Sequence, residues 1–320
     1  MNTFPDIATP DTRIRYRVLH ETLYQYQYMV TLSQQFMHMA PRSFDFQQTL
    51  AHTIDIDPAT EDWVNRIDYF GNATKNITLA TPHRALEVKA ASLVALYPRL
   101  TMTQIAGSMA WETLRTSLRH SASAPTLEPY QYLYASPHIA LSIDLARYAS
   151  TSFSPGTPVL DGALDLTRRI YEDFEFDATA TTIATPLVEL LTLRRGVCQD
   201  FAHLMIGCVR ALGLACRYVS GYILTTPPAG QPRLVGADAS HAWVSVFCPG
   251  YGWVDFDPTN RCLVQDEHIT LGWGRDFSDV TPMRGIVLGG GEQELEVRVT
   301  VTPVSSDHSA SGPSMSPIVS

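Results

Sequence analysis

RRGVCQDFA, at residues 194–202, opens the segment of this chain that decides its fold. From there on, apolar residues recur at the spacing of a helix that buries one face: Phe201, Leu204, Met205, Cys208, Val209 and Leu212. Gly196 permits a tight turn before this stretch, and Gly213 is a residue type that commonly ends a helix. We therefore predict a helix whose first turn carries Cys198.

This position makes Cys198 chemically distinct from the other cysteines. The unpaired N–H groups and the dipole at a helix N-terminus stabilise a thiolate, and the same N–H groups can hold an oxyanion. All five cysteines lie within residues 198–262, and an odd number in a long chain favours reduced thiols over a disulfide scaffold. We interpret the other four as structural: Cys208, Cys216, Cys248 and Cys262.

A zinc site on the same helix is not predicted. Cys198, His203 and Cys208 are five residues apart, and that spacing turns successive side chains by about 140° around a helix. The three side chains therefore diverge, and the chain has no Cys-x-x-Cys pair. We interpret His203 as a residue of the helix surface or of the core edge.

A histidine and two acidic residues follow on a predicted hairpin. SHAWVSVFC, at residues 240–248, is nearly all apolar and predicts a buried central strand that begins at His241. PGYG at residues 249–252 predicts a tight turn, and the next strand ends before Pro258. The hairpin brings a carboxylate beside the imidazole, where it can fix the tautomer. Spacing alone allows either Asp255 or Asp257, because both lie on the same face.

The remaining segments predict two domains. Alternating apolar and polar residues, as in Ile14, Tyr16 and Val18, indicate short antiparallel strands before residue 100. Helices are predicted over Asp161 to Phe174 and near Pro186 to Leu193. The predicted divisions are an N-terminal extension (1–11), a β-rich N-terminal domain (12–100), a connector with one short helix (101–135), a catalytic core (136–304) and a disordered tail (305–320).

Composition excludes several classes of partner. The 320 residues carry 23 basic and 32 acidic side chains, a formal net charge of −9, and the basic residues form no cluster larger than a pair such as Arg194-Arg195, so we expect no nucleic-acid partner. No apolar run reaches the roughly 18 residues of a membrane span, so we expect no membrane partner. The first eleven residues lack a basic and an apolar signal region, which predicts a cytoplasmic location.

Three strings together resemble the transglutaminase-like superfamily, and in particular its bacterial members described as candidate cysteine proteases. The strings are RRGVCQDFA (194–202), SHAW (240–243) and WVDFDPTN (253–260). The first domain resembles the β-domain that accompanies bacterial members. That second resemblance rests on the strings HETLYQY (20–26), PR (41–42), FGN (70–72) and PH (82–83).

The resemblance implies an α+β fold with an N-terminal antiparallel, sandwich-like β-domain and a papain-like core. It implies Cys198 as nucleophile, His241 as base and Asp257 as the orienting acid, since the family acid directly precedes a Pro-Thr pair. The calcium sites of animal transglutaminases do not map onto this sequence, so we expect neither metal nor cofactor. No tryptophan or glutamine precedes Cys198 where related families place a second oxyanion donor.

The expected activity is acyl transfer from an amide or peptide bond through a thioester, with hydrolysis favoured over transamidation. The expected substrate is a peptide or protein amide, and the sequence does not indicate an oligomeric state. A non-catalytic interaction scaffold is the alternative from another class. An arylamine acetyltransferase is a third possibility, but the double glycine before that family's cysteine is missing, since Gly196 stands alone.

Overall fold

The computed structural model describes residues 13–120, 124–225 and 239–304. The predicted N-terminal extension, the predicted tail and the segment between β8 and β9 for which Pro227, Pro228 and Gly230 predict a loop lie outside the described residues. The strands are β1 (Ile14–Met37), β2 (Gln47–Asp57), β3 (Trp63–Ile67), β4 (Ala73–Leu79), β5 (His83–Leu96), β6 (Glu175–Phe176), β7 (Arg195–Gly196), β8 (Cys216–Ile223), β9 (Ala239–Cys248), β10 (Gly252–Asp257), β11 (Cys262–Leu263), β12 (His268–Gly274), β13 (Met283–Gly289) and β14 (Gln293–Val304).

The helices are α1 (Met102–Ile105), α2 (Trp111–His120), α3 (Ala124–Tyr130), α4 (Ile143–Ser150), α5 (Val159–Asp173), α6 (Leu187–Leu193) and α7 (Cys198–Ala211), with a short 3₁₀ turn at Phe277–Asp279. The α+β class predicted from the sequence is confirmed. No helix within the described ranges is both long and apolar enough to span a bilayer.

The N-terminal half forms an antiparallel sheet around one long strand. The order is β2-β5-β1-β4-β3, and β1 changes partners at a bulge between Gln25 and Val30. Its first part pairs with β5, and its last five residues pair with β4. Alternation along β1 buries Tyr16, Val18 and Val30, so the period-two pattern read from the sequence sets which face is covered.

The core consists of α7 packed on a second antiparallel sheet with the order β11-β10-β9-β8-β12. Gly213, at φ 82°, turns the chain after α7 so that β8 runs back beside the helix. Since β9 is antiparallel to β8, and β10 to β9, four ends meet at one edge of the core. These are the starts of α7 and β9 and the ends of β8 and β10. This topology brings Cys198, His241 and Asp257 to the same place.

Two predicted domain limits differ from the observed packing. The predicted connector 101–135 contains α1, α2 and α3, and Leu114 and Leu118, four residues apart on α2, are fully buried in the core cluster. The strands β13 and β14, placed with the core by the predicted range 136–304, instead pair with β1 in the N-terminal sheet. The local alternation of apolar and polar residues does not indicate which strands pair, which is why the predicted range assigned β13 and β14 to the core.

Asn72 joins the two halves of the molecule. Its side-chain Nδ2 donates to Asp68 Oδ2 at 2.8 Å and to the Trp273 carbonyl at 2.9 Å. Its Oδ1 accepts from the Trp273 N–H at 3.0 Å and from Arg42 Nη1 at 2.8 Å. The Arg42 guanidinium lies 3.6 Å from the centre of the Trp273 ring. The strings PR and FGN of the N-terminal domain thus form its contact with β12.

We expect Asn72→Ala to lower the free energy of unfolding by about 2–4 kcal/mol, because the buried amide makes four hydrogen bonds, to Arg42, Asp68 and Trp273, that are lost. Chemical denaturation of the whole chain measures this change. The matched control is Asn65→Ala on the exposed strand β3, where the side chain makes only a 3.4 Å contact with Lys75 and little change is expected. Equal loss in both variants would contradict the role given to Asn72.

Candidate active site

Cys198 is the first residue of α7, as the sequence predicts, and is partly buried against the core cluster. The helix start is held by Asp200, whose Oδ2 accepts from the Val197 N–H at 2.8 Å and from Thr181 Oγ1 at 2.6 Å. A carboxylate in the first turn also interacts favourably with the helix dipole. Cys198 thus lies at the end of the helix where backbone N–H groups have no partner within the helix.

Gly196 does not form the tight turn that the sequence predicts before the helix. It lies in the extended strand β7, and the residue with positive φ is Arg194, at 56°, which ends α6. A Cβ on Gly196 would lie 2.7 Å from Asp200 Oδ2. Glycine is therefore needed so that the chain can pass close to the carboxylate that caps the helix of Cys198.

His241 joins Cys198 to Asp257. Its Nε2 donates to Asp257 Oδ2 at 2.7 Å, and its ring also hydrogen-bonds to Cys198, which leaves Nδ1 as the atom facing the sulfur. Phe256 pairs with Val244 across the hairpin, so the contact between His241 and Asp257 is diagonal, as the spacing allowed. The structure thus brings all three predicted site residues together in one hydrogen-bonded chain.

Asp257 is fully buried and accepts hydrogen bonds at both oxygens. Oδ2 accepts from His241, from His268 Nε2 at 3.0 Å and from Asn260 Nδ2 at 2.6 Å. Oδ1 accepts from the backbone N–H groups of Thr259 and Asn260, at 2.9 and 3.2 Å. Pro258 keeps the chain extended before this turn. Five donors fix the orientation of the carboxylate that faces the imidazole.

The charges of His241 and Asp257 stabilise each other. Burial lowers the pKa of His241, but the hydrogen bonds to Asp257 and Cys198 outweigh it and raise that pKa from 6.5 to about 10. Burial alone would raise the pKa of Asp257. The hydrogen bonds from His241 and His268 outweigh this effect of burial and hold the pKa far below the usual range of a carboxyl group. The imidazolium's contribution to folding stability is therefore complete below about pH 6.5 and is lost as the pH rises towards 10.

Asp255, the alternative acid that spacing left open, forms an ion pair with Arg99. Its Oδ2 accepts from Arg99 Nη1 at 2.6 Å and lies 3.3 Å from the indole N–H of Trp243. Arg99 and Asp255 are both largely buried, so this carboxylate is neutralised by an ion pair that ties the chain after β5 to the core. Asp257, and not Asp255, is thus the acid that contacts His241.

The other cysteines and His203 differ from Cys198 in their surroundings. Burial raises the pKa of the Cys216 and Cys262 thiols to about 12 and that of Cys248 to about 11, and Cys208 is fully buried. His203 is buried, and its Nε2 accepts from the Phe277 N–H at 3.1 Å. It is therefore a core histidine with a structural hydrogen bond.

Two members of the site were missed by sequence reasoning. Asn260 lies in the string WVDFDPTN and had no predicted role, although an Asn next to an orienting acid is a local signal for an additional hydrogen bond. His268 lies on β12, on the far side of β8, and no local spacing connects it to Asp257. Its ring stands edge-on to Trp243, with centroids 5.2 Å apart.

The side chains that could hold a metal ion are themselves part of this hydrogen-bonded site. Among the described residues, ligand atoms of His241, Asp257 and His268 all lie within 4.8 Å of one another. Those atoms already make the hydrogen bonds to Asp257, so a bound ion would have to displace them. The absence of a metal from the reaction stays a prediction from the sequence.

Comparison with known proteins defines the class. Residues 146–258 match the transglutaminase-like superfamily, and residues 16–95 match the bacterial transglutaminase-like N-terminal region. An uncharacterized protein of Mycobacterium tuberculosis is 38% identical over 300 residues, which cover 92% of this chain and 94% of the relative. The chain belongs to the transglutaminase-like superfamily, as the sequence resemblance predicts.

More distant similarities extend this assignment. A crystal structure described as a candidate cysteine protease from Cytophaga hutchinsonii has the same fold, with a TM-score of 0.72, 19% identity and 93% of each chain covered. A protein-glutamine gamma-glutamyltransferase of Pseudomonas aeruginosa is 24% identical over 235 residues, which cover 70% of this chain and 31% of the relative. This chain thus combines a bacterial transglutaminase-like N-terminal region with a transglutaminase-like core.

We expect Asp257→Asn to lower the titration midpoint of His241 by about 1–3 pH units, because the substitution removes the buried negative charge that favours the imidazolium. Nitrogen-detected NMR of the imidazole rings measures the midpoint, which we expect near pH 10 in the unchanged protein. Asp255→Asn is the control that leaves the His241 midpoint in place. A midpoint below pH 7 in the unchanged protein would contradict the assigned ion pair.

We expect His268→Leu to slow the alkylation of Cys198 by iodoacetamide about tenfold at pH 7, because Asp257 loses one of its charge-assisted donors. His268→Gln keeps an N–H near the position of Nε2, so it should restore most of the rate. Mass spectrometry of the modified cysteine against time gives both rates. If the leucine and glutamine variants react equally, the His268 hydrogen bond has no effect on the nucleophile.

Proposed function

We propose that this protein is a cysteine hydrolase that cleaves amide or peptide bonds through a thioester on Cys198. The observation that carries the proposal is the hydrogen-bonded chain from Cys198 through His241 to Asp257, which begins in the first turn of a buried helix. A thiol, an imidazole and an orienting carboxylate in this order are the groups that nucleophilic acyl transfer requires. Their catalytic roles are part of the proposal.

Acylation follows from the positions of these groups. His241 holds the proton of Cys198, and the sulfur attacks the amide carbonyl to form a C–S bond. The carbonyl oxygen becomes an oxyanion, which the free N–H groups at the start of α7 can stabilise by about 3 kcal/mol for each donor. His241 then gives its proton to the amide nitrogen, the C–N bond breaks, and the amine leaves. Asp257 keeps the ring oriented throughout.

Deacylation regenerates the site. A water molecule gives a proton to His241 while its oxygen attacks the thioester carbon, and the collapse of this second tetrahedral intermediate breaks the C–S bond. The acid product leaves, and the sulfur and imidazole return to their first state. No oxidant, reductant or metal takes part in either half of this scheme.

Transamidation is the alternative outcome of the same thioester. A primary amine in place of water would yield a new amide, and the name of the Pseudomonas relative supports this possibility. The description of the Cytophaga structure as a candidate cysteine protease supports hydrolysis, the outcome we favour. The expected substrate in both cases is a peptide or protein amide, and the cytoplasmic location remains a prediction from the sequence.

A non-catalytic scaffold is the alternative from another class. A scaffold has no need of a buried carboxylate with five donors facing an imidazole, and such a site is costly to form unless every group is satisfied. This argument favours the enzyme. A peptide-amide library analysed by mass spectrometry separates the two, since a scaffold produces neither cleavage nor cross-links.

We expect Cys198→Ala to abolish labelling by iodoacetamide at neutral pH, because Cys198 alone is paired with an imidazole. Cys262→Ser is the matched control: that cysteine is also partly exposed, but burial raises the pKa of its thiol to about 12, so labelling should persist when it is replaced. Intact-protein mass spectrometry counts the adducts. Strong labelling of the alanine variant at another cysteine would remove Cys198 as the nucleophile.

A further inference from the structure

Two imidazole rings meet at one oxygen of Asp257. His241 Nε2 lies 2.7 Å and His268 Nε2 lies 3.0 Å from Asp257 Oδ2, and the three atoms lie within 4.8 Å of one another. The proposed reaction uses only the first ring to move protons, and a second imidazole is more than a hydrogen bond to the acid requires. Two imidazoles and one carboxylate are also a set of ligands that zinc prefers in proteins.

The distances between these atoms are close to those of a zinc site. Zinc binds imidazole nitrogen and carboxylate oxygen at about 2.0–2.2 Å, so neighbouring ligand atoms of a tetrahedral site lie about 3.3 Å apart. The two observed Nε2–Oδ2 distances would have to open by only about 0.3–0.6 Å. The Asn260 amide, 2.6 Å from Asp257 Oδ2 and 3.3 Å from His241 Nε2, would have to turn away. An ion therefore needs small movements of side chains that already converge.

A cleft of about 460 Å³ gives an ion access to both rings. His241, His268, Asn260 and Glu267 are among the residues that line it. Among the described lining residues there is no lysine or arginine, whereas Glu267 is an exposed carboxylate and Asp257 is a buried one beside the rings. The cleft thus supplies an entry path, and its fixed charges attract a divalent cation.

His268 is free to present Nε2 as a ligand. Its Nδ1 is buried, and the structure shows no hydrogen-bond partner for that atom among the described residues. A partner at the second ring nitrogen is what normally fixes the tautomer of a histidine. The proton can therefore move from Nε2 to Nδ1 without breaking a hydrogen bond at Nδ1, and the lone pair of Nε2 then points towards Asp257.

We propose that His241, Asp257 and His268 form a binding site for a zinc ion, which stops the reaction while it is bound. The ion replaces the proton on His241 Nε2, which passes to solvent, and the proton on Nδ1 stays beside the sulfur. A metal-bound imidazole releases its remaining proton far less readily than an imidazolium, so His241 can no longer protonate a leaving amine. The block on the reaction rests on the proposed acyl transfer, whereas the binding of zinc does not.

The binding test uses Cys198→Ala, in which zinc cannot bind to the sulfur. Calorimetric titration with zinc chloride should show one site, and adding His268→Gln should weaken its affinity by at least about 100-fold, because an amide is a poor zinc ligand. Glutamine still keeps an N–H near Asp257. The matched control is His52→Gln, a half-buried histidine on β2, which should leave the affinity unchanged. Calcium chloride should not bind, because calcium prefers oxygen ligands.

The unchanged protein supplies two readouts that do not depend on how a variant folds. In nitrogen-detected NMR, zinc should shift the Nε2 signals of His241 and His268 and leave those of His52 in place. Alkylation of Cys198 by iodoacetamide needs only the thiolate, so zinc should change its rate by less than about twofold. Loss of the acetyl group from Cys198 treated with p-nitrophenyl acetate needs His241 as base, so zinc should slow it at least about tenfold.

Three results overturn the inference. They are absence of zinc binding to Cys198→Ala, an affinity that His268→Gln leaves unchanged, and protection of Cys198 from iodoacetamide by zinc, which would place the ion on the sulfur. Failure of the proposed function looks different: no acetyl group would form on Cys198, while zinc would still bind and would still lose affinity in the His268→Gln variant.

Discussion

The rest of the site depends on the hydrogen bonds that the buried carboxylate of Asp257 accepts. It is fully buried, so its charge is stable only because five donors, the His241 ring among them, surround it. In return, the charge raises the pKa of His241, so that the ring stays protonated at pH values well above the usual range of an imidazole. An imidazolium held in this way is the partner that a thiolate at a helix N-terminus needs. The reactivity proposed for Cys198 therefore originates 59 residues further along the chain.

The N-terminal sheet supports this carboxylate through β12. Gln47 on β2 accepts from the Thr270 N–H and donates to its carbonyl, both at 2.7 Å, so the amide pairs with β12 as a strand would. Thr270 lies two residues after His268, which donates to Asp257. On β8, the neighbour of β12, the Tyr222 hydroxyl lies 2.8 Å from His20 Nδ1. The β-domain thus fixes the strand that orients the acid, which is a structural reason for it to accompany the core.

Sequence reasoning succeeded where the information is local. The start of α7, the hairpin and the two candidate acids follow from spacing within about 60 residues, and each was found at its predicted position. Spacing did not choose between Asp255 and Asp257, because what distinguishes them is Arg99, more than 150 residues away. His268 was missed for the same reason, since its contact depends on the pairing of β12 with β8. Long-range pairing, rather than local propensity, limits what one sequence reveals.

The last two strands, β13 and β14, pair with the first strand, β1, so the two halves of the molecule share one sheet. The strand β14 pairs with β1 from Arg15 to Tyr26, and buried Val299 and Val301 pack against Tyr16, Val18 and the core residue Tyr222. A core cut away at residue 136 would leave β13 and β14 without the strand they pair with and would expose this cluster. It would also lose the Gln47 and Asn72 contacts to β12. Because β12 carries His268, such a cut would disturb Asp257 as well as the fold, so the β-domain would act on the proposed chemistry through the same strand that joins it to the core.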